Sequence, residues 1–401
     1  MAGFTVVGGV YLERCIQPLW DAIFGSAGRA ATAIAPHLGA PVRLVTYVDT
    51  QNLPAVQSMA DLAGAVLEAH PCARTIGFDY LHPLATPAIN PPVGQIEQAS
   101  PIQVSDDVVL RYGMLEGDAI VDAKVAIYDP QSAFGAVQFS ANGSKAERLA
   151  VVLNQAEAIA MSGLKAPADA AHWLLGEESA EVVVLKMGAA GALVISDKGQ
   201  ARVPLYRTER VWKVGSGDVF SSTFAALWGA NGVDPVDAAD CASRATAYYC
   251  ETRSLPPPAA AGLKALSYEQ VKPGSGKVYL AAPFSDIGQR WLVEEARAAL
   301  LEMGAHVFSP VHEVGPGPAQ IVAPEDLAGL NGSDVVFAVL NGLDSGTIFE
   351  VGYAVKCGMP VIALAQNEKE EDLKMMRGSG CEVVDDFASA IYRTIWRLPA
   401  E

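Results

Sequence analysis

The sequence predicts an α/β protein of two domains, and three observations lead to this conclusion. The chain has 401 residues, more than one average domain. Short apolar runs recur along it, each followed by a glycine-bearing turn and a segment with helical spacing, as in parallel sheets covered by helices. Proline and glycine interrupt this pattern in 255–262 and 272–276. We therefore expect one domain at 1–255, a linker at 256–276 and a second domain at 277–401.

Composition limits the class of partner. Hydrophobic residues make up 51% of the chain, charged residues 18%, and the net charge is −17. A well-buried globular protein is expected, and its negative charge argues against nucleic-acid polymers and anionic membrane surfaces as partners. The charge is compatible with a small phosphorylated ligand, because backbone N–H groups bind phosphate even in an acidic protein.

Cysteine use and the N-terminus predict a cytoplasmic protein. The six cysteines are scattered and form no Cys-x-x-Cys pair, which is typical of free thiols in a reducing compartment. The first residues are apolar but lack a basic region, so they predict a first strand rather than a signal peptide. No uncharged run is long enough to span a bilayer.

In the N-terminal part, β-branched apolar runs predict strands and alanine-rich runs predict helices. Strands are expected at 1–12, 42–49 and 124–129 and, on both sides of a glycine turn, within 181–195. Helices are expected at 25–39, 145–154, 219–229 and 235–250. The region 83–105 is rich in proline and has no helical period, so strands of a lid and a plain loop both stay open.

The C-terminal part repeats the alternation of strand and helix. Strands are expected at 277–282, 305–309, 335–340 and 360–364, and helices at 289–303, 346–357 and 387–397. This order predicts a small doubly wound parallel sheet of the flavodoxin-like or Rossmann-like kind.

A run of small residues, Gly215-Ser216-Gly217-Asp218, precedes the helix expected from 219. Small residues at a helix N-terminus leave backbone N–H groups free to bind an anion. A carboxylate beside them can accept the proton of a hydroxyl that attacks a phosphoryl group. The run therefore predicts an anion hole with a base, although for an isolated match of four residues an ordinary capped turn would be the better interpretation.

The segment 1–255 resembles the ribokinase-like (PfkB) sugar and nucleoside kinases at four places. They are Gly8-Gly9 followed by Glu13, Gly25-Ser26 before a helix ending at Leu38-Gly39, the Asn154-x-x-Glu157 motif within 152–158, and Gly215-Ser216-Gly217-Asp218. The stretch 186–191 is also similar to the family's strand and turn near the nucleotide. The resemblance implies a three-layer α/β domain of the ribokinase type.

The roles of individual residues follow from this resemblance alone. Asp218 would be the catalytic base, and ATP and Mg²⁺ would be the cofactors. The anion hole would be Gly215, Ser216 and Gly217, the substrate-binding residues Gly8, Glu13 and Gly25, and the indirect Mg²⁺ site Asn154 and Glu157. Some positions depart from the family: 212–214 lacks the usual Asp-Thr-x, Ala30 replaces an asparagine, and Glu13 replaces an aspartate. These departures predict an unusual acceptor or a domain that has lost kinase activity.

A second acidic turn follows the strand expected at 335–340. Asp344 lies in this turn, and Glu350 lies six residues later on the next expected helix. The carboxyl edge of an α/β sheet is where such folds bind ligands. A carboxylate there can act as a nucleophile or as a general acid or base on a glycosidic carbon.

Residues 277–365 resemble the nucleoside 2-deoxyribosyltransferases. The stretches that carry this resemblance are 279–284, 325–334 and, most specifically, 344–354. The resemblance implies that Glu350 is the nucleophile and that Tyr279 orients it. Asp326 and Asp344 would contact or protonate the departing base. Asp326 as a helix cap is a close alternative.

The resemblance also bears on the substrate. Related enzymes cleave nucleoside 5′-monophosphates and have a small hydroxyl residue six positions before the glutamate, where this chain has Asp344. That difference favours a nucleoside, while Ser345 and Gly346 next to it would bind the substrate in either case. No cofactor is implied for this domain, and a homo-oligomer is expected because neighbouring subunits usually complete such sites.

Together these features predict a bifunctional enzyme of nucleoside or sugar metabolism. Glu350 would cleave or transfer an N-glycosidic bond, and Asp218 would direct ATP-dependent phosphorylation of a sugar or nucleoside hydroxyl, as in a salvage pathway. One alternative is a nucleoside 5′-monophosphate N-glycosidase with a catalytically silent kinase-like domain. Another is a protein that senses nucleosides or nucleotides without turnover.

Overall fold

The computed structural model describes residues 3–131, 135–272 and 274–400. The chain divides into two compact units, Met1–Gln270 and Val271–Glu401. The observed division therefore lies inside the segment predicted as a linker, of which residue 273 is outside the described residues. Much of that segment is packed rather than extended: Ala260–Ala265 is a helix, and its Leu263 is only 1% exposed.

The first unit is built on a nine-stranded sheet. The strands in this part of the chain are β1 Phe4–Val7, β2 Leu12–Cys15, β3 Trp20–Ile23, β4 Val42–Val48, β5 Ala65–Pro71, β6 Gly77–Tyr80, β7 Ala88–Asn90, β8 Ile102–Tyr112, β9 Ala119–Asp129, β10 Lys145–Asn154, β11 Val182–Lys186, β12 Ala192–Ser196, β13 Gly199–Val203, β14 Leu205–Tyr206 and, at the division, β15 Gln270–Val271. The order in the large sheet is β13-β12-β11-β10-β9-β8-β1-β4-β5, and all pairs are parallel except those of β12. A separate four-stranded sheet has the order β3-β2-β6-β7.

Helices cover both faces of the large sheet. They are α1 Gly25–Ile34, α2 Leu53–Ala63, α3 Gln155–Ser162, α4 Pro167–Glu177, α5 Ser216–Phe224, α6 Pro235–Thr252 and α7 Ala260–Ala265, with a π-helical turn at Ala225–Ala230. Residues of α1, α2, α5 and α6 pack in one apolar core, and residues of α3 and α4 pack in another. Strand residues such as Val151 and Val152 alternate between these two cores, which is why the strands are apolar throughout. The α/β class predicted for this part is confirmed, with three layers.

Strand β8 folds back on itself. The Ile102 N–H donates to the carbonyl of Asp118 at 2.9 Å, and the Arg111 guanidinium donates to the Asp118 carboxylate at 2.8 Å. Both ends of β8 therefore reach one residue. The pairing of β8 with β9 is interrupted at 107 and 124.

Two sequence expectations change in this unit. The helix expected at 145–154 is wrong, because Lys145–Asn154 is strand β10 and the helix begins at Gln155. Leu149 to Leu153 are buried between the two cores, as in a central strand of the sheet. The region 83–105 contains β7 of the small sheet and the start of β8, rather than a plain loop.

The second unit is a doubly wound parallel sheet. Its strands are β16 Lys277–Ala281, β17 His306–Phe308, β18 Val335–Val339, β19 Val361–Leu364 and β20 Glu382–Val384. Its helices are α8 Ile287–Glu302, α9 Pro310–Glu313, α10 Ala319–Asn331, α11 Ser345–Lys356, α12 Glu370–Gly378 and α13 Phe387–Ile395. The order β17-β16-β18-β19-β20 is the flavodoxin-like order, so the predicted class is confirmed. The strand order reverses between β16 and β18, and ligands bind at such switch points.

Two further findings concern the whole described chain. All six cysteines are free thiols, as their spacing predicts. No helix in the described ranges combines the length and the apolar character that a membrane span requires.

Candidate active sites

The site of the second unit is centred on a hydrogen bond between Tyr279 and Glu350. Tyr279 lies on β16, is fully buried and stacks on Phe308 with ring centroids 5.5 Å apart. Glu350 lies on the second turn of α11. The Tyr279 hydroxyl donates to Glu350 Oε1 at 2.5 Å. Helix α11 thus holds the carboxylate beside the first strand of the sheet, at the switch point.

Burial raises the pKa of Glu350 to about 7. Burial is the largest cause of this value; the hydrogen bond from Tyr279 lowers the pKa, and the charges of Asp326 and Asp344 contribute smaller increases to it. The pKa of Tyr279 is raised well above its ordinary value by burial and by Glu350, so its hydroxyl keeps its proton. A carboxyl group that titrates near neutral pH at a sheet edge is a candidate functional group.

Asp326 lies within α10, so the alternative of a helix cap does not hold for it. Its Oδ1 atom is buried and has no hydrogen-bond partner among the described residues. Burial and the neighbouring Glu325 raise the pKa of its carboxyl group. A carboxyl group with a raised pKa keeps its proton to higher pH than an ordinary aspartate, which is the property that a proton donor needs.

Asp344 caps helix α11. Its Oδ2 atom accepts hydrogen bonds from the backbone N–H of Thr347 at 2.9 Å and from the Thr347 hydroxyl at 3.2 Å. Ser345 and Gly346 are exposed and form the first two positions of the helix, where backbone N–H groups have no partner in the helix. The sequence did not predict this capping role for Asp344.

Replacing Tyr279 with phenylalanine is expected to shift the pH dependence of glycosidic cleavage. The nucleophile that the sequence resemblance implies would attack as the Glu350 carboxylate, so the rate should rise with pH through about 7. Loss of the Tyr279 hydrogen bond, which lowers that pKa, moves the rise to higher pH. At about pH 6 we expect a rate roughly tenfold lower than that of the wild type, since a hydrogen bond to a charged group contributes about 1.5–3 kcal/mol. The measurement is the rate of base release against pH.

An unchanged pH profile in Tyr279→Phe would exclude a role of this tyrosine in setting the pKa of Glu350.

The raised pKa of Glu350 also makes the free energy of unfolding depend on pH. A raised carboxyl pKa means that the folded state binds the proton more tightly, so stability falls as pH rises from the ordinary range of a glutamate to about 7.

The site of the first unit lies at the start of α5. Gly215 adopts a φ of 77° as the residue before the helix, a left-handed conformation that glycine adopts without strain. Ser216, Gly217 and Asp218 follow as the first three helical residues. The fold therefore forms the predicted arrangement of a helix N-terminus with a carboxylate in its first turn.

A buried ion pair flanks this helix, and the sequence did not single it out as a pair. Lys186 Nζ lies 2.6 Å from Asp129 Oδ2, and the Ser221 hydroxyl donates to the same oxygen at 2.5 Å. Asp129 is fully buried, and its other oxygen has no hydrogen-bond partner in the described ranges. Asp129 ends a strand that was predicted, so its position at the carboxyl edge was foreseeable, but its pairing with Lys186 was not. Lys213 is another such residue: its Nζ lies 3.2 Å from Ser216 Oγ, and burial lowers its pKa.

Asn154 and Glu157 form a capping box at the start of α3. Asn154 Oδ1 accepts from the Glu157 N–H at 2.9 Å, and Glu157 Oε2 accepts from the Asn154 N–H at 2.7 Å. Burial and the charge of Asp129 raise the pKa of Glu157 to about 7. No group of three or more potential metal ligands occurs within 3–131, 135–272 and 274–400. The unpartnered oxygen of Asp129 and the raised pKa of Glu157 nevertheless fit a magnesium ion, because a bound cation would favour both ionised carboxylates. Magnesium commonly uses one or two carboxylates together with water and phosphate oxygens.

The three residues predicted to bind the acceptor each begin or contact helix α1. Gly8 follows β1, and a Cβ there would come within 2.7 Å of Tyr112 Cβ. Gly25 begins α1 with a φ of 59°, in a position where a Cβ would contact the Gly9 carbonyl oxygen at 2.5 Å. Both glycines thus have packing reasons independent of any ligand. Glu13 lies on β2, is 6% exposed and pairs with Arg29, a residue that the sequence did not single out.

Replacing Lys186 with methionine is expected to destabilise the first unit by about 3 kcal/mol, because a buried charge loses its partner. Asp129 would then be a fully buried carboxylate with only the Ser221 hydroxyl as a donor. The measurement is denaturant unfolding, with Lys198→Met on the exposed end of the same sheet as the control. Equal stability of the two variants would show that the pair contributes nothing to folding.

Comparisons with known proteins match each part of the chain separately. The model of the pfkB family of carbohydrate kinases matches residues 145–258, and the model of the nucleoside 2-deoxyribosyltransferases matches residues 278–387. No match was found among curated proteins. Each of the two resemblances predicted from the sequence is thus confirmed.

Solved structures resemble the first unit. A protein from Agrobacterium tumefaciens assigned to the ribokinases is 16% identical, has a TM-score of 0.50, and aligns over 66% of this chain and 96% of its own. A ribokinase from Thermotoga maritima is 17% identical, has a TM-score of 0.48, and aligns over 66% of this chain and 99% of its own. The first similarity shows a ribokinase-like fold and nothing beyond the fold. The chain therefore carries a carbohydrate-kinase match followed by a nucleoside 2-deoxyribosyltransferase match.

Proposed function

We propose that the second unit cleaves or transfers the N-glycosidic bond of a nucleoside, with Glu350 as the nucleophile. The observation that carries this proposal is the 2.5 Å hydrogen bond from Tyr279 to a carboxyl group whose pKa is about 7. The hydrogen bond fixes one carboxylate oxygen and leaves the other to attack the anomeric carbon. The family match over 278–387 supports this chemistry.

In the proposed reaction, Glu350 forms the bond to the sugar and Asp326 transfers the proton. A Glu350 oxygen forms a bond to the anomeric carbon as the carbon–nitrogen bond breaks, and Asp326 donates its proton to the departing base. The sugar is then held as an ester of Glu350. Water or a second base attacks that carbon, and the carboxylate leaves. Asp326 accepts the proton in this second step.

Asp344 supports a nucleoside rather than a nucleotide as the substrate. Its carboxylate is held at the helix start by Thr347, so a phosphate near Ser345 and Gly346 would meet a negative charge. The alternative of a nucleoside 5′-monophosphate depends on the exposed N–H groups of the same helix start.

Product analysis across a panel of nucleosides and their 5′-monophosphates tests the proposal. Each compound is incubated with the full chain, with and without a second free base and with and without ATP. Free base released from nucleosides without ATP supports the proposal. Release from monophosphates alone supports the nucleotide N-glycosidase. Stabilisation by ligands without any product supports a sensing protein.

A second function is favoured by the groups that converge at the start of α5. We propose that the first unit transfers a phosphoryl group from ATP to a sugar or nucleoside hydroxyl, with Asp218 as the base. Gly215 and Gly217 would bind the transferring phosphate with their backbone N–H groups, and Ser216, whose N–H donates to the Lys213 carbonyl at 3.1 Å, would bind it with its hydroxyl. Glu157 and Asn154 would hold Mg²⁺ indirectly, and this ion would neutralise charge on the donor phosphates when bound.

The pairing of these two activities is itself part of the proposal. A released base or sugar, or the nucleoside itself, would be a ligand of both units, as in a salvage pathway in the cytoplasm. We also expect a homo-oligomer, which light scattering of the purified chain measures. Formation of ADP that depends on a nucleoside or sugar would support the pairing.

A further inference from the structure

Arg29 is a fully buried charged residue of the first unit, and neither family match assigns it a role. It lies on α1, is 0% exposed, and has the Phe24 ring 5.3 Å from its guanidinium carbon. Its Nε–H donates to the Tyr249 hydroxyl at 3.1 Å. Its Nη1 group donates to the Gly25 carbonyl at 3.3 Å.

The remaining contacts of Arg29 are with the two carboxylates that the acceptor would need. Its Nη1 lies 2.8 Å from Asp218 Oδ2. Nη1 also donates to Glu13 Oε1 at 3.1 Å, and Nη2 donates to Glu13 Oε2. Glu13 is the residue predicted to hold the acceptor, and Asp218 is the residue predicted to deprotonate it. The guanidinium therefore lies between them, where an acceptor hydroxyl would have to be.

Each carboxylate oxygen of Asp218 already accepts a hydrogen bond from a protein side chain. Gln131 Nε2 donates to Asp218 Oδ1 at 2.5 Å, while Arg29 holds Oδ2. A general base must reach the proton it removes, and both oxygens are engaged by protein donors here. The guanidinium also packs directly on the turn before the anion hole, because a Cβ at Gly215 would overlap it.

We propose that Arg29 is an internal lock on the acceptor site, which blocks phosphoryl transfer until an acceptor displaces its guanidinium from Glu13 and Asp218. This inference rests on the phosphoryl transfer proposed for the first unit. Once the guanidinium has moved, one hydroxyl of a vicinal diol donates to Glu13 and the adjacent hydroxyl gives its proton to Asp218. The deprotonated oxygen forms a bond to the γ-phosphorus of ATP, and the bond to ADP breaks.

The lock predicts that removing Arg29 raises the rate of ADP formation, whereas a positioning role of Arg29 predicts a lower rate. In Arg29→Ala the space between the carboxylates is open, so ADP formation from ATP and Mg²⁺ should rise at least about tenfold over the wild type, since a freed base contributes about 10²–10⁴ in rate. Guanidinium chloride at millimolar concentration should fill the space and suppress this gain. The acceptors are D-ribose, D-fructose, myo-inositol and uridine, and sodium chloride at equal ionic strength is the salt control.

A double variant tests the lock even if Arg29→Ala alone does not fold. Arg29→Ala leaves two buried carboxylates facing each other, whereas Glu13→Gln combined with Arg29→Met removes one negative and one positive charge and keeps the net charge of the cluster. The double variant should also exceed the wild-type rate. Arg202→Ala, on an exposed edge strand of the same unit, is the matched control and should behave as the wild type.

Several results would overturn the lock. If Arg29→Ala is slower than the wild type and guanidinium restores it, Arg29 positions Asp218 rather than blocking it. If neither the wild type nor the variants form ADP, the proposed phosphoryl transfer is rejected. The lock is then tested by acceptor binding instead. The four acceptors should raise the melting temperature of both Arg29 variants but not that of the wild type. If they raise the melting temperature of neither variant, the lock is rejected.

Discussion

Replacing Glu350 with glutamine is expected to lower the rate of glycosidic cleavage by at least about a thousandfold, because an amide cannot form the glycosyl ester. The substitution keeps the shape of the side chain, and its amide oxygen can still accept from Tyr279. Since the burial that raises the pKa of Glu350 also makes its ionised form costly, the glutamine variant should be at least as stable as the wild type at neutral pH. The measurement is base release by chromatography, together with thermal unfolding.

A matched control separates this effect from a general loss of fold. Glu302→Gln removes an exposed carboxylate at the end of α8 in the same unit and should leave both rate and stability unchanged. Mass spectrometry adds a direct readout, because the wild type quenched during turnover should carry a glycosyl mass that Glu350→Gln lacks. Base release by Glu350→Gln at the wild-type rate would reject the nucleophile and favour direct attack by water.

The fold of the second unit was predictable because its strands and turns are short and regular. Each apolar run is bounded by glycine, proline or polar residues, and the alternation of strand with helix leaves few topologies. The hydrogen bond between Tyr279 and Glu350 joins the first strand to the helix after the third, which meet at the switch point of the sheet. The free oxygen of Asp326 could not be predicted, since it depends on how α10 packs.

The first unit was less predictable, for two physical reasons. Strand β10 begins with charged, exposed residues, so its start resembles a helical face, although Leu149 to Leu153 are buried. The contacts around Asp218 join residues far apart in sequence, Arg29 being 189 positions away. No local pattern distinguishes an arginine that points into a site from one on a helix surface. Only the fold shows that Arg29, Glu13 and Asp218 form one cluster.

In both units, a motif match alone does not distinguish a residue that binds a ligand from one that caps a helix. Asp344 and Asn154 match the motifs of two families, and each also accepts the N–H of the third residue of its helix. A side chain that caps a helix has a structural reason to be there even if it binds nothing. Such positions need a functional test more than positions like Glu350, which satisfies no backbone group.

Replacing Asp218 with asparagine is expected to lower acceptor-dependent ADP formation by about 10²–10⁴, the contribution of a general base. Asparagine keeps the size of the side chain but has little affinity for the acceptor proton. Because Arg29 keeps its contacts with Glu13, the fold should persist, and the loss should fall on the phosphoryl step alone. The measurement is ADP formation in the wild type and in the Arg29→Ala background, where an unlocked site makes the comparison more sensitive.

The two units supply each other's control in this experiment. Asp218→Asn should release base from nucleosides at the wild-type rate, and Glu350→Gln should form ADP at the wild-type rate, if each unit carries its own site. Asp197→Asn, in an exposed turn of the first unit, should change neither reaction. ADP formation that survives Asp218→Asn in both backgrounds would mean that another group removes the proton, and the buried carboxylates of Asp129 and Glu157 would be the next to test.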